Sequence, residues 1–242
     1  MDVDLILRNS GALMNGVGVT LAITLVGVTI AILGGSLVCA MRISSSGILR
    51  ACARSYILFF RVTPEVILIF WAYYCIPLIF QATVSGFWSG SAVLGLIGAA
   101  YLAEIFRAGI DAVPRGQKEA AKALGLGFAP RWRIVILPQA LKLVIAPLVN
   151  YFTEFLKNTT LLSAIGVMDL SLQAYLLGGQ TFQYITFLSA IAIIYFAMIF
   201  PITLYARRLE GRLGQRVAYA PNRRQGFLRL IRRRQMDSSL QA

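Results

Sequence analysis

Five apolar stretches separated by clusters of charge organise this chain. They cover residues 13–40, 56–80, 91–110, 141–156 and 182–205. A helix needs about 20 apolar residues to cross the hydrocarbon core of a bilayer, so each stretch predicts a membrane-spanning helix. The first is long enough to tilt or to begin in the interface. The fourth is short but has apolar residues on both sides. The expected fold class is therefore an all-α integral membrane protein with about five transmembrane helices.

The polar segment between the third and fourth stretches, 112–138, has its own pattern. Within it, 119–138 reads EAAKALGLGFAPRWRIVILP. Residues 117–124 are rich in helix formers, Pro114 and Gly116 set off the start, and Gly125 suits a helix C-terminal cap. The pattern predicts a short helix bounded by breakers, able to move as one body. Ala120, Ala121 and Ala123 would let another surface approach closely. Glu119 can pair with a basic group across an interface or interact with the N-terminus of its own helix.

Composition agrees with a lipid environment. Of 242 residues, 58% are hydrophobic and 14% are charged, against roughly a quarter charged in average soluble chains, and the mean hydropathy is +0.72. The formal net charge of +13 is mostly a matter of sidedness. Of the 23 Lys and Arg, 21 fall between stretches one and two, between three and four, or after five, counting Arg61, Arg107 and Lys142 at the adjoining stretch ends. Only Arg8 and Lys157 lie on the other side. Basic residues accumulate in cytoplasmic loops. The N-terminus is thus expected outside and the C-terminus in the cytoplasm, together with the 119–138 segment. The opening MDVDLILRNS carries Asp2 and Asp4 rather than a basic region, so it does not read as a secretory signal peptide. The chain divides into a transmembrane part, 1–216, and a basic tail, 217–242. The tail sequence RRQGFLRLIRRRQ can lie on anionic lipid or stay solvated. No nucleic-acid-binding module accompanies the charge.

Several chemistries are excluded. The chain has no His, which removes the commonest general base and metal ligand. Cys39, Cys52 and Cys75 fit no metal spacing and read as buried inert thiols. No nucleophile–base pair is visible, so neither catalytic nor metal-binding residues are expected. No G-x-x-x-x-G-K-[ST] phosphate loop occurs, so the chain would not bind ATP itself.

Ionisable residues inside spans are functional candidates. Glu65 follows Pro64 and is expected near the cytoplasmic end of the second span. Glu154 lies one turn after Asn150, on the same face of the fourth span, with Lys157 three residues on. In one reading Glu154, with Glu65, draws a cationic or zwitterionic solute through the bundle, while Asn150, Thr153, Thr159 and Thr160 add hydrogen bonds. In the other, Glu154 and Lys157 form a structural pair and Glu65 caps or packs a bent helix. Phe70, Trp71, Tyr73 and Tyr74 read as packing against lipid or another subunit.

The spacing of EAA, three residues, Gly125, nine residues and VILP resembles the "EAA" loop of ABC-importer permeases. The likeness extends over about 10–214, to GVGVTLAIT (16–24), FFRVTPEVILIFWAYYCIP (59–77), AEIFRAGIDAVPRGQKEAAKALGLG (103–127), the 136–170 block and RRLEGRL (207–213). It is similar to the polar amino-acid uptake type (histidine, glutamine, arginine). Departures are Val135, one methylene short of the usual Ile, and Asn158-Thr159-Thr160 in place of Asp-Thr-Ser. The resemblance implies a type I ABC importer permease fold with a cytoplasmic coupling helix, in the bacterial inner membrane. It assigns Glu119, Ala120, Ala121, Gly125, Leu137 and Pro138 to the loop that docks on an ATPase. It implies two ATP-binding subunits carrying ATP and Mg, a second homologous or identical permease subunit, a periplasmic or lipid-anchored substrate-binding protein, surrounding membrane lipid, and translocation by alternating access. The alternative is an ion-gradient-driven secondary amino-acid transporter. Such proteins often carry an internal repeat of spans, which is not visible here.

Overall fold

The computed structural model describes residues 2–81 and 83–217, and every regular element among them is helical. In chain order the helices are α1 (Val3–Arg8), α2 (Ser10–Ile43), α3 (Gly47–Val62), α4 (Glu65–Phe80), α5 (Gly86–Ala112), α6 (Arg115–Ala123), α7 (Phe128–Ile165), α8 (Leu170–Thr181) and α9 (Tyr184–Val217). Four of them, α2, α5, α7 and α9, are long and apolar enough to cross a membrane, and the number is five only if the bent pair α3 and α4 counts as one span. The basic tail expected beyond these helices lies outside the described residues.

The centre is the parallel pair α2 and α5, and small residues allow its close approach. A Cβ on Gly98 would lie 2.7 Å from that of Ala31, and one on Gly95 would lie 2.7 Å from Ile30 and 3.0 Å from the Gly27 carbonyl oxygen. Between helices in lipid, where burial of apolar surface from water is absent as a driving force, such contact is a principal source of association. α7 runs antiparallel to α5, with Val144 against Gly109, Tyr151 against Gly98 and Leu162 against Gly90. Ile23, Ile97, Phe155 and Leu162 fill the resulting core and are 1% exposed or less.

The stretch 56–80 is not one continuous span. Thr63 precedes Pro64, which disfavours helical backbone at Thr63, and Thr63 is extended at φ −75°, ψ 133°. α3 and α4 diverge there by 103°. α3 is amphipathic. It buries Ala53 and Ile57 against Val38, Cys39, Ala100 and Ala103 and leaves Leu58, Phe59 and Val62 exposed. Glu65 consequently begins α4, half-buried beside Asn158.

Two π-helical turns, Trp71–Cys75 in α4 and Arg131–Ile136 in α7, lie just before Pro77 and Pro138. A proline cannot donate to the carbonyl four residues back, and a widened turn is one way a helix accommodates that loss. α7 is thereby longer than the 141–156 stretch suggests. α8 has no counterpart in the hydrophobic pattern. It packs Leu170, Ala174 and Leu177 against Leu13 of α2 and Phe187 and Ile191 of α9.

Candidate functional site

Two regions concentrate the polar chemistry. The first is the hairpin around α6. Pro114 caps the helix start, so the helix begins two residues earlier than the helix formers indicate. Gly125 adopts φ +72°, the left-handed conformation that favours glycine. There the Gly125 amide donates to the Lys122 carbonyl at 2.9 Å and the Leu126 amide to the Ala121 carbonyl at 3.1 Å. Lys118 Nζ donates to the Ile110 carbonyl at 3.0 Å, tying α6 to the end of α5. Val113, Ile136 and Ala140 form a small core beneath, with Trp132 beside it.

Glu119, Ala120 and Ala123 are exposed, while Ala121 is 2% exposed. Ala121 therefore does not belong to the surface open to a partner; it anchors the hairpin from within. Leu137 and Pro138 are exposed and sit immediately after the π turn. Leu124, Phe128 and Ile134 add exposed apolar surface.

The second region is a partly exposed polar cluster on the flank of the bundle. Asn158 Nδ2 donates to Glu65 Oε2 at 2.9 Å, joining α7 to α4. Tyr151, Glu154 and Asn158 stand at i, i+3 and i+7 on one face of α7. Tyr151 stacks on Tyr101 of α5 with ring centroids 5.4 Å apart, and the Arg61 guanidinium lies over Tyr101 at 5.1 Å. Glu154 stands one turn before Asn158, the partner of Glu65, on the same face of α7. The cluster thus offers two acidic groups, an amide and a phenol on one side and a cation on the other. Such a set can bind an ammonium or guanidinium, with polar groups left over for hydrogen bonds.

The remaining candidates divide. Asn150 is exposed, and its carbonyl accepts from Thr153 Oγ1 at 2.8 Å. Thr159 is fully buried and its hydroxyl donates to the Leu156 carbonyl at 2.8 Å, so it packs rather than lines a path. Glu154 and Lys157 form no ion pair; the pairs among the described residues are Arg42–Glu104, Arg107–Glu104 and Arg107–Asp111. Glu154 instead shares its face of α7 with Tyr151 and Asn158. Phe70, Trp71 and Tyr74 are exposed on α4, as packing aromatics would be. Tyr101, Tyr151 and Asn158 were not picked out by their charge. The signal that reveals the last two is their helical spacing from Glu154.

A sequence profile of the family described as "Binding-protein-dependent transport system inner membrane component" matches residues 27–215. The arginine transport system permease protein ArtQ of Bacillus subtilis (strain 168) is 31% identical over 201 residues, covering 83% of this chain and 92% of that protein. The probable glutamine ABC transporter permease protein GlnM of the same organism is 31% identical over 213 residues, covering 88% and 98%. Among solved structures, an amino acid ABC transporter crystallised with histidines superposes with a TM-score of 0.82 at 34% identity. That match covers 88% of this chain and 99% of the other. An inward-facing MetNI methionine ABC transporter shares the fold, with a TM-score of 0.63, 21% identity, and coverage of 85% and 96%.

Proposed function

The chain belongs to the binding-protein-dependent transport system inner membrane components, and we propose that it moves polar or charged amino acids, or their derivatives, inward at the expense of ATP hydrolysed by a separate subunit. The observation that carries this reading is the hairpin. α6 presents Glu119, Ala120 and Ala123 to water, is tied to α5 by Lys118 and packs against the Arg131–Ile136 turn of α7, while Val113 just before it is buried with Ile136 and Ala140. A partner that pushes α6 would therefore displace α5 and α7 together.

Two ATP-binding subunits carrying ATP and Mg would engage two such hairpins, one from this chain and one from a second permease subunit, homologous or identical. A periplasmic or lipid-anchored binding protein would deliver solute at the opposite end. The distribution of basic residues supports a cytoplasmic hairpin and an N-terminus outside. Glu65, Glu154 and Asn158 would meet the cationic end of the solute during alternating access. This reading agrees with the names of the relatives above.

Reconstitution in proteoliposomes with the cognate ATPase and binding protein tests the proposal. ATP-dependent uptake of an amino acid, with hydrolysis stimulated by the loaded binding protein, is the expected result. Uptake that continues without ATP and collapses with the proton gradient would establish the ion-driven alternative instead.

A further inference from the structure

A cavity of about 520 Å³ opens between the end of α2, the outer face of α3 and α5, and its wall is strongly basic. Arg42, Arg54 and Arg61 line it, with Glu104 as the single acidic group. Glu104 is already committed. Arg107, outside the cavity, donates to its Oε2 through Nε at 3.0 Å and Nη2 at 2.8 Å. Arg42 reaches the other carboxylate oxygen only at 3.7 Å, and its buried Nε has no hydrogen-bond partner among the described residues. The guanidinium groups of Arg54 and Arg61 make no hydrogen bond or ion pair among the described residues; Arg61 instead rests on the Tyr101 ring. Three cations thus face one pre-empted carboxylate. An unpaired buried donor is costly, and guanidinium forks match the oxygens of phosphate.

The rest of the wall is apolar. Ile57, Leu58 and Val62 share the cavity, and Leu58 and Val62 remain 65% and 71% exposed on the same helix. A basic recess beside exposed aliphatic side chains has the two-part chemistry of a phospholipid: oxygens for the guanidinium groups and a chain for Leu58 and Val62. It lies toward the hairpin end of the bundle. With that end in the cytoplasm, as proposed above, it faces the leaflet surface where anionic lipids attract basic groups. We propose that this cavity holds the phosphate of an anionic phospholipid headgroup, seated on Arg42, Arg54 and Arg61, with an acyl chain along Leu58 and Val62.

Native mass spectrometry of the assembled transporter, titrated with phosphatidylglycerol or phosphatidylcholine, tests this. The wild type is expected to retain phosphatidylglycerol at least tenfold more tightly than phosphatidylcholine. R54Q combined with R61Q should abolish that preference, R54K should restore part of it in the R61Q background, and K142Q, an exposed basic residue outside the cavity, should leave it intact. Equal retention of the two lipids by the wild type, or undiminished preference in the double variant, would overturn the proposal. So would displacement of the bound species by millimolar inorganic phosphate with no lipid adduct surviving, which would assign the site to a soluble anion. Each readout is independent of uptake, so failure here leaves the importer reading standing.

Discussion

Asn158 donates to Glu65 across 93 positions of sequence, joining the first residue of α4 to the face of α7 that carries Glu154 and Tyr151. Removing the amide would leave a half-buried carboxylate without its donor, at a cost of about 1–3 kcal/mol. N158A is expected to lower the thermal midpoint of the purified transporter. E65Q keeps an acceptor for Asn158 and should leave the midpoint nearly unchanged. A midpoint that drops as far for E65Q as for N158A would mean the charge, not the hydrogen bond, holds the two helices.

Glu154 is exposed and takes no part in an ion pair among the described residues, so its charge is available to solute. E154Q should reduce uptake of a cationic amino acid about tenfold, equivalent to about 1.4 kcal/mol, and affect a neutral amide such as glutamine less. Competitive uptake in proteoliposomes measures the ratio, and an unchanged ratio would remove Glu154 from the pathway.

Gly125 has open space where a Cβ would project, so its constraint is the backbone at φ +72° rather than crowding. G125V places a branched side chain in the left-handed region, which costs roughly 1–2 kcal/mol or more. Distortion of the α6 cap should separate ATP hydrolysis from transport. The expected phenotype is normal expression and basal hydrolysis, with stimulation by the binding protein lost. G125N, better tolerated there, should retain most of it.

At the opposite end, Asp169 is fully buried between α7 and α8. Its Oδ1 accepts from the Leu172 amide at 2.9 Å, and its Oδ2 has no hydrogen-bond partner among the described residues. Burial pushes its pKa from 3.8 up to about 6. The folded form then holds a proton that the unfolded chain has released, so stability should fall as pH rises from about 4 to about 6. D169N preserves the cap without the charge. Its melting temperature should be flat across that range and exceed that of the wild type at pH 7. A wild type equally flat across it would contradict the assignment.

Packing of α2 on α5 supplies a fifth mutational test. At Gly98 a Cβ would meet that of Ala31 at 2.7 Å, and two backbones cannot part without loosening the core around Phe155. G98V is expected to reduce assembled transporter in the membrane severely, whereas G18A, which faces open space, should be tolerated. Quantifying both in detergent extracts by size-exclusion chromatography checks the contrast.

The apolar stretches and charge clusters were sufficient to place four long helices and the hairpin, because those depend on composition over many residues. The Thr63–Pro64 break was legible in principle from the residue before proline. It was hidden by the apolar run through Phe59 and Phe60, which hydropathy averages into one span. α8 escaped because twelve residues are too few to register as a span. Gly125 could be assigned from its neighbours alone, since its cap is local. The burial of Ala121 and Thr159 could not, because it depends on which helices come to lie over them. Asn158 carried no charge to draw attention, and its partner lies in another helix.

The break between α3 and α4 also makes a demand that no side chain meets. Pro64 has no N–H, and the amides of Glu65 and Val66 find no backbone acceptor among the described residues. Hydrocarbon offers no hydrogen bonds, so free amides at this depth are tolerated only against protein or water. The flank of the bundle at Glu65 is therefore turned away from the acyl chains. In the membrane it must border either a wet cavity or the main chain and side chains of a neighbouring subunit.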